Sequence, residues 1–163
     1  TWGAEPVARL AALEEEGDGF FQATALAVLN GDRIAVLDGM TKRVVLYDRD
    51  GHFLDGAKGY RLTLPANVPA RDFWSGVIYD PQTRSELQTS QPFPSKNSKR
   101  DALLANPDGS VDLYFGPAAP AGKENNWIQT VPGKGWFAIL RLYGPLEAWF
   151  EKTWRPGEIE QIK

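Results

Sequence analysis

The stretch from Asn106 to Trp154 constrains this chain more than any other. It reads NPDGSVDLYFGPAAPAGKENNWIQTVPGKGWFAILRLYGPLEAWFEKTW. In order it offers a tight turn, a strand, a Pro/Gly loop, a polar knot, a second strand and a short aromatic segment. Four of the six tryptophans fall in it: Trp127, Trp136, Trp149 and Trp154. Residues 111–115 and 136–143 are apolar and aromatic runs bounded by Gly and Pro, and they read as strands. Pro117 and Pro120 donate no backbone hydrogen bond, so the loop between the strands cannot continue a ladder. Pro145 fits the first turn of a short helix that places Leu146, Trp149, Phe150 and Thr153 on one face. Strands this greasy need a second apolar surface to pack on, and the rings supply it.

The rest of the chain repeats the same grammar. Residues 60–64 alternate Tyr60, Leu62 and Leu64 with Arg61 and Thr63, a strand with one buried face. Pro65 and Pro69 end it, and residues 73–79 form the next strand. From Asp80 to Ser110 the composition is polar and turn-forming. There Ser98 and Asp101 resemble a capping box, which predicts a helical turn over 99–104. Asn106-Pro107-Asp108-Gly109 is a tight turn. Further back, residues 25–29, 33–37 and 43–47 are three short strands. Asn30-Gly31 between the first two is a hairpin signal, because both positions accept positive φ. Residues 52–54 return as a further strand. Before the meander, residues 5–16 carry Val7, Leu10, Ala11 and Leu13 at helical spacing. Short strands, many turns and few helices give an all-β fold: an antiparallel β-sandwich with short helices near the N-terminus and C-terminus.

Composition removes several function classes. The chain has 163 residues and no cysteine, so it has no disulfide, thiolate metal site or cysteine nucleophile. Its net charge of −3 comes without a long basic run, which argues against nucleic acid as a partner. The densest basic patch, Lys96, Lys99 and Arg100, reads as a solvated loop. No apolar run reaches the length of a membrane span. The chain opens on Thr1 rather than Met; a cleaved export signal, a larger precursor and an arbitrary boundary would all leave the same start.

Five segments carry a family resemblance: DGHFLDGAKGYRLTLP, DFWSGVIYDPQTRSELQ, NPDGSVDLYFGPAAPAGKENNWIQT, GWFAILRLYGPLEAWFEKTW and RPGEIE. In order and spacing they resemble the C-terminal module, numbered 1214, of the two-part 1254/1214 domain-of-unknown-function proteins. The resemblance implies a sandwich of jelly-roll character, an often exported protein and a β-rich N-terminal partner domain. It carries over no catalytic residues. The expected organisation is an N-terminal helix plus β-meander over 1–49 and the jelly-roll-like module over 50–163. Residues 25–54 also resemble one blade of an NHL-type propeller, whose hairpins end in an Asp-x-Asp-Gly turn. One blade closes no propeller.

Lys123-Glu124-Asn125-Asn126-Trp127 is the most pointed polar cluster. A carboxylate, two amides and an indole could hold a sugar or another polar ligand. The same residues also suit a loop whose Asn side chains cap its own backbone while Trp127 anchors it. Arg141, beside Tyr143 on the last long strand, must be paired if it points inward, with Glu124 or Glu147 as partners. Asp80 can accept backbone donors across its turn or pair with Arg84. Glu124 with Glu147 or Asp112 could do acid–base work if the separation suits it. His52, the single histidine, has no Gly-x-Ser-x-Gly elbow to serve. Asp48, Asp50 and Asp55 lack the calcium-loop ligand order, and Glu14–16 have no further ligands nearby.

The expectation is therefore a non-catalytic interaction or assembly module, exported to the periplasm or beyond. It needs no cofactor, metal or catalytic residue, and its partner is a second copy or an N-terminal domain. The alternative is a carbohydrate-binding or small polar ligand-binding module using Glu124, Asn125, Asn126, Trp127, Arg141 and Tyr143; a hydrolase comes third.

Overall fold

The structure is a computed structural model that describes residues 23–29, 33–38, 43–47 and 53–162. The helix expected over 5–16, the Asn30-Gly31 turn, the acidic run at 14–16, His52, Asp48 and Asp50 lie outside the described residues. The chain divides into two compact units, Thr1–Leu54 and Asp55–Lys163. In the first, β1 (Ala23–Leu29), β2 (Arg33–Asp38) and β3 (Arg43–Tyr47) form an antiparallel sheet in the order β1-β2-β3. This is the meander that the hairpin spacing predicts.

From residue 54 onward the strands are β4 (Leu54–Asp55), β5 (Gly59–Leu64), β6 (Ala70–Tyr79), β7 (Ser95–Asn97), β8 (Val111–Gly116), β9 (Trp127–Gln129), β10 (Gly135–Pro145) and β11 (Ile159–Ile162). A four-residue helix, α1 (Glu147–Phe150), follows β10. Two four-stranded sheets result, ordered β4-β10-β6-β7 and β11-β5-β8-β9. The pairings described are antiparallel except β8 with β9.

The sheets pack face to face, which makes the fold a β-sandwich. Trp136 on β10 is fully buried, stacks on Phe115 of β8 at 4.9 Å and meets Tyr60 of β5 edge-on at 5.6 Å. Gly76 on β6 faces Leu113 on β8 so closely that a Cβ there would lie 3.0 Å from a Leu113 methyl. The alternation read from residues 60–64 holds: Tyr60, Leu62 and Leu64 are buried, while Arg61 and Thr63 are half-exposed. Burying a side chain of this size contributes roughly 2–3 kcal/mol, and an aligned ring pair adds about 1 kcal/mol.

β10 obeys a different pattern. Trp136 faces the other sheet, and by strand alternation Phe137 and Ile139 point the opposite way. All three are buried, at 0%, 4% and 2% exposure. Both faces of the first half of this central strand are therefore desolvated, which is why WFAI reads as a continuous apolar run rather than an alternating one.

Three local expectations shift. Pro145 closes β10 instead of opening a helix, and α1 begins at Glu147 with Leu146 as its N-terminal flank. The four-residue helix leaves Leu146 and Thr153, expected on one helical face with Trp149 and Phe150, outside it, and Leu146 and Phe150 are exposed. No helix forms over 99–104: Asn97, not Ser98, receives the turn's backbone donors, from Lys99 at 2.8 Å and Arg100 at 3.1 Å. Asp101 closes that turn by accepting from Asn97 N at 2.6 Å. Its basic neighbour is structural as well. Arg100 bonds Asp101 and the Ser95 carbonyl and lies over the Phe93 ring at 4.7 Å.

The margin at β9 is closed by a side chain. Gln91 Nε2 donates to the Trp127 carbonyl at 3.3 Å, and its Oε1 accepts from Gln129 N at 2.8 Å. Ser90 adds two donors to Gln129 Oε1. A single amide thus does for β9 what a neighbouring strand would do.

Candidate functional site

The polar knot folds into a 3₁₀ turn, Glu124–Asn126, that runs straight into β9. Asn126 is 3% exposed and fully committed to the backbone. Its Oδ1 accepts from Leu104 N at 2.8 Å, and its Nδ2 donates to the carbonyls of Leu104 and Asp112, both at 2.8 Å. Asn125 Nδ2 donates to the Ala102 carbonyl at 3.0 Å. Glu124 accepts from Gly122 N at 3.2 Å. Trp127 Nε1 donates to the Gly116 carbonyl at 2.9 Å. Both amides therefore tie the knot to the 102–104 loop, as a structural loop requires.

Arg141 and Tyr143 sit elsewhere, on β10 of the other sheet. Arg141 lies over the Tyr79 ring at 5.3 Å rather than beside Glu124 or Glu147, and no carboxylate pairs with it among the described residues. Tyr143 stacks on Phe73 at 4.0 Å and is 41% exposed. The six candidate residues thus divide into Glu124–Trp127 on one sheet and Arg141 with Tyr143 on the other. Glu147, in α1, also lies apart from the knot's elements.

Asp80 keeps its turn but changes partner. Its Oδ1 accepts from Gln82 N at 2.8 Å and Thr83 N at 3.2 Å, and Lys134, not Arg84, makes the ion pair at 3.0 Å. The Lys134 hydrogen bond, aided by those two N–H donors, holds the Asp80 carboxyl below the usual carboxylate range despite its burial.

The outward face of β11-β5-β8-β9 gathers side chains that lie far apart in the sequence. Phe115 points into the sandwich, so Tyr114 points away from it. Its neighbours in register are Arg61 on β5 and Trp127 on β9, and Arg61 is itself opposite Glu160 on β11. One row, Glu160–Arg61–Tyr114–Trp127, therefore crosses all four strands. Arg61 Nη2 donates to Glu160 Oε2 at 3.0 Å, and Lys123 Nζ lies 5.7 Å from the centre of the Tyr114 ring. In the adjoining row Asp112 accepts from Thr63 Oγ1 at 2.5 Å and Asn106 Nδ2 at 3.1 Å, with the Tyr114 hydroxyl at 3.4 Å. The signal was present: Arg61, Thr63, Asp112 and Tyr114 occupy the off-beat positions of two strands whose other residues are apolar.

A third feature is apolar. At the C-terminal end of β10 and along α1, Tyr143, Leu146 and Phe150 are 41%, 47% and 64% exposed. Among the described residues no helix is long and apolar enough to cross a membrane. Nor does any group of three or more His, Asp or Glu there have a metal-holding arrangement.

A family profile described as "Protein of unknown function (DUF1214)" matches residues 41–147. No curated protein matches the chain. Among solved structures, the VPA0106 protein from Vibrio parahaemolyticus is similar at 26% identity with a TM-score of 0.58. That match covers 72% of this chain and 29% of the Vibrio chain. An uncharacterized protein from Burkholderia cenocepacia is similar at 18% identity with a TM-score of 0.49, over 99% of this chain and 44% of that one. The chain thus spans less than half the length of either protein.

Proposed function

We propose that this chain, which belongs to the DUF1214 family of proteins of unknown function, is a non-catalytic β-sandwich module that works through contact with other protein surfaces. The observation that carries this reading is the exposure of Tyr143, Leu146 and Phe150 at one end of the sandwich. Leu146 immediately precedes α1 and Phe150 is its last residue, so the two exposed side chains sit at the two ends of one short turn. Large side chains left together in water favour a protein contact that removes them from it. The same chain buries Trp136 and Phe137 completely or nearly so, so its core does not lack room for rings.

The partner in this reading is a second copy of the chain, meeting across a two-fold axis with the patch facing itself. The setting is the periplasm or the outside of the cell, as the family resemblance implies. Multi-angle light scattering over a concentration series tests the assembly. A dimer is expected, together with a monomer in the Leu146→Glu/Phe150→Glu variant at unchanged thermal stability. A wild-type chain that stays monomeric at high concentration overturns it. Fractionation of cells expressing the protein from its natural gene tests the location; recovery only in the cytoplasm overturns that part.

A further inference from the structure

We infer that Arg71 and Asp72 orient the self-association, each pairing with its opposite on the second copy as the two Tyr143–Leu146–Phe150 patches meet. This rests on the second-copy reading above and adds what aligns the contact. Arg71 and Asp72 directly precede Phe73 on β6, and the Phe73 ring stacks on Tyr143 at 4.0 Å. By strand alternation Arg71 shares the face of Phe73. Arg71 Nε donates to Asp72 Oδ1 at 3.2 Å, and its Nη2 donates to Oδ2 at 3.1 Å. The pair folds over Gly144, the residue between Tyr143 and Pro145. A Cβ there would lie 2.8 Å from Asp72 Oδ2 and 3.1 Å from Arg71 Nη2, so the glycine makes the seat for both charges. One cation and one anion are thereby fixed at the margin of the apolar patch.

A two-fold axis brings a surface against itself, so a lone charge beside the axis meets its own copy and is repelled. Two adjacent charges of opposite sign avoid this. Turned by the axis they run antiparallel to their copies, Arg71 against the partner's Asp72 and Asp72 against the partner's Arg71. The bonds within one chain use two of the five guanidinium donors and leave lone pairs on both carboxylate oxygens. With 72% and 51% of their side-chain surfaces in water, both groups can take a second partner. At such exposure the gain in affinity is small. The charges act instead by rejecting misaligned approaches, in which like signs meet. The patch itself supplies burial, which has no direction.

Sedimentation velocity of the purified chain and two charge-reversal variants tests the assignment. Arg71→Asp alone, or Asp72→Arg alone, gives all the charges of this pair and its copy one sign. Each should weaken the dimer at least about tenfold. An equimolar mixture of the two variants, whose charges are complementary, should recover an affinity close to that of the wild type. Native mass spectrometry separates that heterodimer from either homodimer by mass. Recovery in the mixture also excludes misfolding as the cause of the loss in each variant alone. Single variants that dimerise as tightly as the wild type overturn the inference. So does a mixture that associates no better than either variant by itself. In both cases the second-copy reading stands as long as Leu146→Glu/Phe150→Glu still dissociates the wild-type dimer. A wild-type chain that never dimerises overturns both.

Discussion

Asn126→Ala isolates the contribution of one buried amide to holding the 102–104 loop on the sandwich. The substitution removes three hydrogen bonds of 2.8 Å and leaves Leu104 N, Leu104 O and Asp112 O without their partners. At about 1 kcal/mol net for each bond, the expected loss is about 3 kcal/mol. The lost volume is small, so the cavity contribution is minor. For a unit of this size that corresponds to a fall of roughly 10 °C in melting temperature.

Asn126→Asp sharpens the test. Its retained oxygen can still accept from Leu104 N, but its second oxygen faces two carbonyls. Burial and those carbonyls disfavour the charged form, so the folded pKa of the new carboxyl rises above its unfolded value. A group shifted upward stabilises below its unfolded pKa and loses that contribution as pH rises through its folded pKa. The deficit of Asn126→Asp relative to wild type should therefore shrink towards pH 4 and be full at pH 7, while that of Asn126→Ala stays flat. Chemical denaturation at both pH values measures this. A loss below 1 kcal/mol for the alanine variant, or no pH dependence for the aspartate variant, refutes the bonding scheme.

Other outcomes follow from the same geometry. Asp80 is held below its ordinary pKa, so its contribution is present above the unfolded value and disappears as pH falls through the folded one. Asp80→Asn should flatten the acid limb of a stability profile below pH 4, and Lys134→Met should do so partly, by about 1 kcal/mol or less given the exposure of Lys134. Gly56→Ala should destabilise by about 3 kcal/mol, because the new methyl would sit 2.2 Å from the Val131 carbonyl oxygen, which is backbone and cannot swing aside. Gly122→Ala, at φ +71° in open space, should lose about 1 kcal/mol from backbone strain alone, and thermal melts of the pair separate the two causes. Trp136→Phe deletes an indole N–H that is buried without a partner, so it should destabilise by less than the roughly 3–5 kcal/mol of a Trp→Ala change.

The strands carrying a buried face were legible because their chemistry is local. Tyr60, Leu62 and Leu64 announce their own strand, and Trp136 to Tyr143 announce another by length and ring content. The strands at Ser95–Asn97, Trp127–Gln129 and Ile159–Ile162 were not legible. Each is three or four residues long, too short to show a period, and exists because a longer strand offers it a ladder. The helix start misplaced at Pro145 has a similar cause. Proline is welcome both in a first helical turn and at the end of a strand, and the pairing of Pro145 with Ala70 decides the matter. Of the candidate site, the anchoring role of Asn125 and Asn126 was legible as turn chemistry, but their partners were not, since they lie 14 to 23 residues away. The Arg61–Tyr114 neighbourhood depends on register between strands fifty residues apart, which no local pattern encodes.

The amide of Gln91 has a consequence for life at high concentration. A sheet with two open margins can add copies at both ends and grow into a fibre. With the β9 margin plugged, chain growth through this sheet has only the β11 side to use. Any pairing there consumes the one live margin of each molecule and stops at two. Replacing Gln91 with valine would remove that stopper, and turbidity or thioflavin fluorescence during prolonged incubation would reveal the difference.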